Sequence, residues 1–218
     1  MSYFSQPQAC FMYTPPSFQI RDRTTLFALM EEFSFATLIS GHEGSLTATH
    51  LPLLVKDEDG GKILGHVARA NDQWRMFDGE TEALAIFQGP HAYVSPSWYA
   101  THPSVPTWNY VVVHAYGMPA IIDDFDAVVA LLRETVKKYE AGFAKPWPMD
   151  LPEDYLAKMV KAIVAFEIPV TRIEGKAKLS QNRSGEDIER VIEALDRSAA
   201  ADERSLAKMM RDDQFKPK

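Results

Sequence analysis

The chain has 218 residues, enough for one domain with a substantial core, or for one domain with an appended helical piece. Its 46% hydrophobic and 24% charged residues are those of an ordinary globular chain, and 30 acidic against 23 basic side chains leave a net charge of −7, which disfavours nucleic acid as a partner except through a local basic patch. The single cysteine, Cys10, excludes an intrachain disulfide and a cysteine-based metal cluster; no apolar run reaches the roughly 20 residues that cross a bilayer, and the polar start MSYFSQPQ is no signal peptide, so a cytoplasmic protein is expected.

Residues 1–16 contain Pro7, Pro15 and Pro16 and are expected to form an arm without regular structure. Asp22 or Thr24 can cap a helix whose Leu26, Leu29, Met30 and Phe33 recur at helical spacing. Residues 35–40 and 45–55 read as a hairpin turned at Gly41-His42-Glu43-Gly44, and the Gly-rich residues 57–61 turn the chain into a third strand over 62–70. Together these predict a three-stranded meander. Asn71 or Asp72 caps a short helix running to Phe77, and two strands, 83–88 and 91–94, follow, broken by Gly89-Pro90.

The loop over residues 95–107 is long, nearly free of charge and stiffened by proline, a composition that points to function. It leads into the longest strand, 108–122, where side chains alternate. Trp108, Tyr110, Val112, His114 and Tyr116 face one way, and Asn109, Val111, Val113, Ala115 and Gly117 the other. The second face suits an aliphatic core; the first offers aromatic rings and an imidazole to a partner chain or a flat ligand.

Asp123 or Asp124 caps an amphipathic helix with Phe125, Val128, Val129, Leu132, Val136 and Tyr139 on its apolar face. A proline-rich connection over 142–152 precedes a helix with Tyr155, Met159 and Val160, so these two helices do not form a tight helix-turn-helix. Residues 162–174 read as a returning strand. The run KAKLSQNR, 176–183, carries Lys176, Lys178 and Arg183 into a helix with Ile188, Val191, Ile192 and Leu195. After Ser198 the chain is charged and is expected to fray or to lie on a partner. No Walker loop, GxGxxG, GxSxG or CxxC is present, and Cys10 lies in the arm, so nucleophilic catalysis is not expected. His50 and His66 fall on strands expected to be neighbours, but no HExxH or His-carboxylate spacing accompanies them, and a ligand-facing or core role suits each better than a metal.

The strings GPHAYVSPSWY, PTWNYVVVHAYG and KLSQNR, with ATLISGHEGSLTATHLPLL followed by GHVARANDQW, resemble the PaiB family of FMN-binding negative transcriptional regulators in order, from about residue 12 to residue 195. The resemblance implies a mainly β, α+β fold: an antiparallel split β-barrel of the FMN-binding type with peripheral helices. With the proline-bearing arm and the charged end, the expected division is an N-terminal arm at 1–16, the barrel domain with its helical additions at 17–198 and a charged tail at 199–218. Family members begin near Met12, which makes residues 1–11 an extension or a start-site choice.

FMN needs donors for its phosphate, aromatic or apolar walls for its ring, and amide groups at its pyrimidine edge. The resemblance implies that Thr49, His50, His66, Arg69, Asn71, Trp108, Asn109, Lys178, Gln181 and Arg183 supply these contacts, with Arg69 gripping the phosphate through its planar fork and Lys178 adding a second cation. Split barrels of this kind bind two flavins across a two-fold interface, so a homodimer is expected. The function implied is negative transcriptional regulation or flavin-dependent redox chemistry. Two alternatives remain open: a haem-binding or haem-degrading split barrel, and a DNA-binding regulator without cofactor chemistry. For the latter, the Lys137-Lys138 pair and the 176–183 segment are the local basic candidates, and only weak direct DNA binding is expected.

Overall fold

The computed structural model describes residues 12–212 and residue 215; the readings made for residues 1–11, including Cys10, lie outside the described residues. Nine strands and five α-helices follow one another as β1 (Gln19–Ile20), α1 (Arg23–Glu32), β2 (Phe35–His42), β3 (Ser45–Pro52), β4 (Leu54–Lys56), β5 (Lys62–Ala68), β6 (Ala83–Val94), β7 (Thr107–Gly117), β8 (Ala120–Ile122), α2 (Phe125–Glu140), α3 (Glu153–Lys161), β9 (Ile163–Lys178), α4 (Gly185–Asp196) and α5 (Ala201–Arg211) among the described residues. The strands bond in the order β3-β2-β6-β7-β9-β5-β4, with β1 and β8 also on β9. The ladders of β2 with β3 and β6, and of β9 with β1, β5 and β8, are antiparallel. This is the mainly antiparallel sheet with peripheral helices that the sequence predicts.

Two compact units share these strands: residues 23–88 with 115–173, and residues 12–22 with 89–114 and 174–212. We call them the first and the second unit and describe each separately.

In the first unit, β2 and β3 are joined by a two-residue turn in which Glu43 and Gly44 both have positive φ (47° and 81°), the geometry that suits the twist of a tight hairpin. The expected single strand over 45–55 is instead two. Pro52 ends β3, Leu53 is fully buried and donates its N–H to the Ser34 carbonyl (2.9 Å), and β4 then pairs with β5. A strand that changes partner at a proline is no simple meander, and His50 and His66 therefore do not lie on hydrogen-bonded neighbours: β3 ladders with β2, and β5 with β4 and β9. The glycine turn before β5 is packed tightly. A Cβ on Gly61, at φ 95°, would sit 2.5 Å from the Phe27 ring, over which the Arg23 guanidinium stacks at 4.4 Å.

Helix α2 starts at its predicted cap, with Asp124 accepting the Ala127 N–H at 2.8 Å. It buries Val128, Val129 and Leu131, whereas Phe125 and Tyr139 are largely exposed. The helical face is thus rotated towards Leu131 from the one read in the sequence.

Strand β6 runs unbroken through Gly89 and Pro90, where a break is expected from sequence. Proline's fixed φ is compatible with an extended chain and removes only a ladder donor. In the second unit, β9 continues to Lys178, four residues beyond its predicted end, and Gln19 and Ile20 pair with Lys176 and Gly175. The region expected to fray folds instead: α5 packs on α4, burying Leu206 and Ala207 completely and leaving Met210 5% exposed. The reason is an apolar stripe, Leu206 with Met209 and Met210, hidden in a strongly charged stretch.

Candidate functional site

In the first unit, Thr49, His50, His66, Arg69 and Asn71 come from β3, β5 and the turn after β5. Asn71 caps the short 3-10 helix Asp72–Met76, as its sequence predicts, accepting the Gln73 N–H at 3.1 Å, while its amide donates to Thr49 Oγ1 at 2.8 Å. Thr49 and Asn71 are thereby brought together. Gln73, missed in the sequence, is the buried centre of this corner: its amide donates to the Leu38 carbonyl (3.0 Å) and to Ser40 Oγ (3.2 Å). A lone glutamine between Asp72 and Trp74 carries no signal of such a role.

Arg69 is held from two sides. Its Nε and Nη2 donate to the carbonyls of Lys161 and Ile163, each at 2.8 Å, and its own carbonyl accepts the indole N–H of Trp74 at 2.9 Å. Arg75 stacks over the same indole at 4.8 Å. Arg69 and Trp74 line a small cleft of about 140 Å³ with Asp123, Val160 and Ile163. The guanidinium is therefore fixed in place with Nη1 left over as a donor. His50 Nδ1 bonds Thr37 Oγ1 across the β2–β3 ladder at 2.9 Å. His66 lies on β5 opposite Ala165, and its burial pulls the imidazole below its ordinary pKa, favouring the neutral ring.

In the second unit, Trp108, Asn109, Lys178, Gln181 and Arg183 converge. The predicted alternation of β7 holds: Asn109, Val111 and Val113 are buried, and Trp108 is 52% exposed, its indole flanked by the rings of His91 and Tyr93 at centroid distances of 6.1 Å. Asn109 is completely buried; its Nδ2 donates to Ser180 Oγ at 2.9 Å, and its Oδ1 accepts no hydrogen bond among the described residues. Gln181 braces the turn after β9, donating to the Ala177 carbonyl (2.6 Å) and accepting the Leu179 N–H (2.7 Å), while Ser180 takes a positive φ of 67°. Gln181 thus braces the turn with both ends of its amide, while Asn109 keeps its Oδ1 unpartnered among the described residues.

The cations are differently placed. Lys178 donates to Thr107 Oγ1 and to the Trp108 carbonyl (2.9 Å). Lys176, 8% exposed, donates to the Tyr13 carbonyl (2.9 Å), and its ammonium lies 5.5 Å from the Tyr13 ring and 5.4 Å from the Tyr110 ring. Arg183 stacks over Tyr99 at 4.3 Å and reaches Ser104 Oγ at 3.4 Å. Burial first, then the charges of Lys176 and Arg183, pull Lys178 below the usual lysine pKa. Asp187, also missed, is 1% exposed and ties the 95–107 loop to α4 by accepting the N–H groups of Ala100 (2.7 Å) and Thr101 (3.2 Å). Its only sequence signal is its place three residues after the capping Ser184.

Among the described residues, no three His, Cys, Asp or Glu side chains are grouped to hold a metal, and no helix is long and apolar enough to cross a membrane.

Comparison with known proteins decides the family. The family described as "Putative FMN-binding domain" matches residues 12–172, nearly three quarters of the chain. The chain belongs to this family. It is 38% identical over 203 residues to the Protease synthase and sporulation protein PAI 2 of Bacillus subtilis, covering 92% of this chain and 97% of that one. Two solved structures share the fold: the flavocytochrome Anf3 from Azotobacter vinelandii (TM-score 0.60, 17% identity, 77% of this chain and 70% of that one) and the FAD and heme binding protein from Mycobacterium smegmatis (TM-score 0.59, 16% identity, 78% of each). The split-barrel reading of this FMN-binding-domain chain thus stands on its relatives as well as on its strands.

Proposed function

We propose that this chain binds FMN and acts, as a homodimer, in negative transcriptional regulation of the PaiB type or as a flavin-dependent redox protein. The observation that carries the reading is the family match across residues 12–172, joined to near full-length similarity to the Bacillus subtilis protein.

The residues present fit a flavin mononucleotide in kind. A guanidinium clamped by two carbonyls, with Nη1 left over, is a fixed donor for a phosphate oxygen, and Thr49 and His50 offer neutral groups on β3. The half-exposed indole of Trp108 is a flat wall for an aromatic ring, and Asn109, Lys178, Gln181 and Arg183 are the remaining candidates. Asn71, bonded to Thr49, acts by positioning that hydroxyl, and neutral His66 adds a polar group without charge. Bound FMN supplies reversible electron transfer; the chain supplies binding, orientation and charge.

The dimer is supported by an exposed aromatic patch where Trp108 of β7 (52% exposed) meets Tyr93 of β6 (45% exposed). Direct DNA binding by the isolated protein is weak on this account, because net charge is −7 and Lys138 already donates to the Glu31 carbonyl at 3.0 Å. An absorption spectrum of the purified protein after addition of FMN tests the reading. Flavin bands that remain with the protein through gel filtration are expected; a Soret band instead would assign the barrel to haem.

A further inference from the structure

The second unit contains a cavity of about 320 Å³ that the sequence motifs do not account for. Its walls are Leu179 from the turn after β9, Ile188 and Ile192 from α4, Met210 from α5, and Phe215 beyond it. All of these but Ile188 are buried, yet they do not close on one another. Where α4 starts, Gly185 widens the space, since a Cβ there would meet no atom within 4 Å. Buried apolar side chains pack to the density of organic crystals, and an empty space among them costs stability that a ligand recovers by filling it. Beyond α5 the sequence carries one large apolar side chain, Phe215, and it is already a wall.

The polar groups around the cavity limit what can enter. Gln181 has both ends of its amide on the turn, so it offers the space only its methylenes. At the rim Arg211 donates to both carboxylate oxygens of Asp196, one at 3.1 Å, so this cation is taken. A flavin phosphate would find no free positive charge here. Glu189, also at the rim and exposed, forms no hydrogen bond or ion pair among the described residues and feels only the more distant charge of Arg211. The mouth is left with one uncompensated carboxylate above apolar walls.

We propose that this cavity binds a small aromatic amine rather than the flavin. An apolar cavity of about 150 Å³ takes up benzene, so one of roughly twice that volume suits about two fused rings. The Phe215 ring and the polarisable Met210 thioether favour a flat aromatic occupant, and Glu189 favours an ammonium group at its exposed end. Because the turn after β9, α4 and α5 each contribute a wall, occupancy stabilises the packing of the C-terminal helices.

Calorimetric titration of the full-length protein with tryptamine, indole and indole-3-acetate tests this, beside Glu189→Gln, Ile188→Trp and Gly185→Leu. Saturable binding is expected, tightest for tryptamine and weakest for indole-3-acetate. Glu189→Gln should weaken tryptamine by up to about fivefold, the worth of one exposed ion pair, and leave indole unchanged. Ile188→Trp and Gly185→Leu fill the space and should abolish binding of both tryptamine and indole. Gly185→Leu adds a side chain where no atom stands within 4 Å of its Cβ, so its fold is expected to survive even where Ile188→Trp disturbs α4. Absence of saturable tryptamine binding to the wild type, or an affinity that both filling variants leave unchanged, would overturn the site. Binding of indole-3-acetate as tight as that of tryptamine would remove the amine. Displacement of tryptamine by FMN would put both ligands in one place and overturn the separate site.

Discussion

Arg69 is the side chain on which we propose that fold and ligand binding meet. Two of its nitrogens hold the carbonyls of Lys161 and Ile163, at the end of α3 and the start of β9, and the third is the one we propose for a phosphate oxygen. Arg69→Ala is expected to lose one charge-assisted interaction of roughly 1.5–3 kcal/mol and to weaken FMN about tenfold to a hundredfold, with little change for riboflavin. Equal losses for both flavins in a paired titration would mean that Arg69 supports only the fold. Asp187 is a second test at this scale. Burial would raise its pKa, but hydrogen bonds from Thr101, Ser184 and Ala100 outweigh that and hold it below the ordinary 3.8. A depressed carboxylate stabilises the fold above its unfolded pKa and loses that contribution as pH falls through the folded value. Asp187→Asn should lower the urea midpoint at neutral pH and flatten its decline below pH 3.8; an acid limb identical to wild type would show that the loop does not depend on this charge. Of these residues, Asn71 is legible in the sequence through its capping chemistry, while the role of Arg69 rests on the family motif and is a proposal. Asp187 and Gln73 are not legible, because their partners lie 86–87 and 33–35 positions away along the chain.

Elements were readable where a local rule governs them. The Glu43-Gly44 turn, the caps at Asn71 and Asp124 and the alternation of β7 all follow from chemistry within a few residues. Where tertiary partners decide, the reading failed: β6 crosses Gly89-Pro90, the expected strand over 45–55 splits at Leu53 to serve two ladders, and α5 forms because α4 gives its apolar stripe somewhere to pack. Gly117 is a further case. A Cβ there would collide with the Pro169 carbonyl oxygen and stand 2.7 Å from Ile168 Cγ2, and a backbone atom cannot step aside as a flexible side chain can. Gly117→Ala should destabilise the protein by about 1–3 kcal/mol, as overpacking does. A wild-type melting curve for that variant would mean that β7 approaches β9 less closely than described.

For the whole molecule, fold class was accessible from sequence because several motifs occur in the family's order, whereas the division into two units, each built from segments far apart in the chain, was not. The uncovered Trp108 and Tyr93 rings bear on assembly. Light scattering at micromolar concentration should give twice the 24.6 kDa chain mass, and a monomer would count against both the dimer and a flavin site completed across it. The most direct test of the central claim is a titration of the purified wild-type protein with FMN, followed by flavin fluorescence, beside the same titration with riboflavin. Saturable binding of one FMN per chain, tighter than riboflavin, is the predicted result; fluorescence that tracks free FMN at every protein concentration would contradict it.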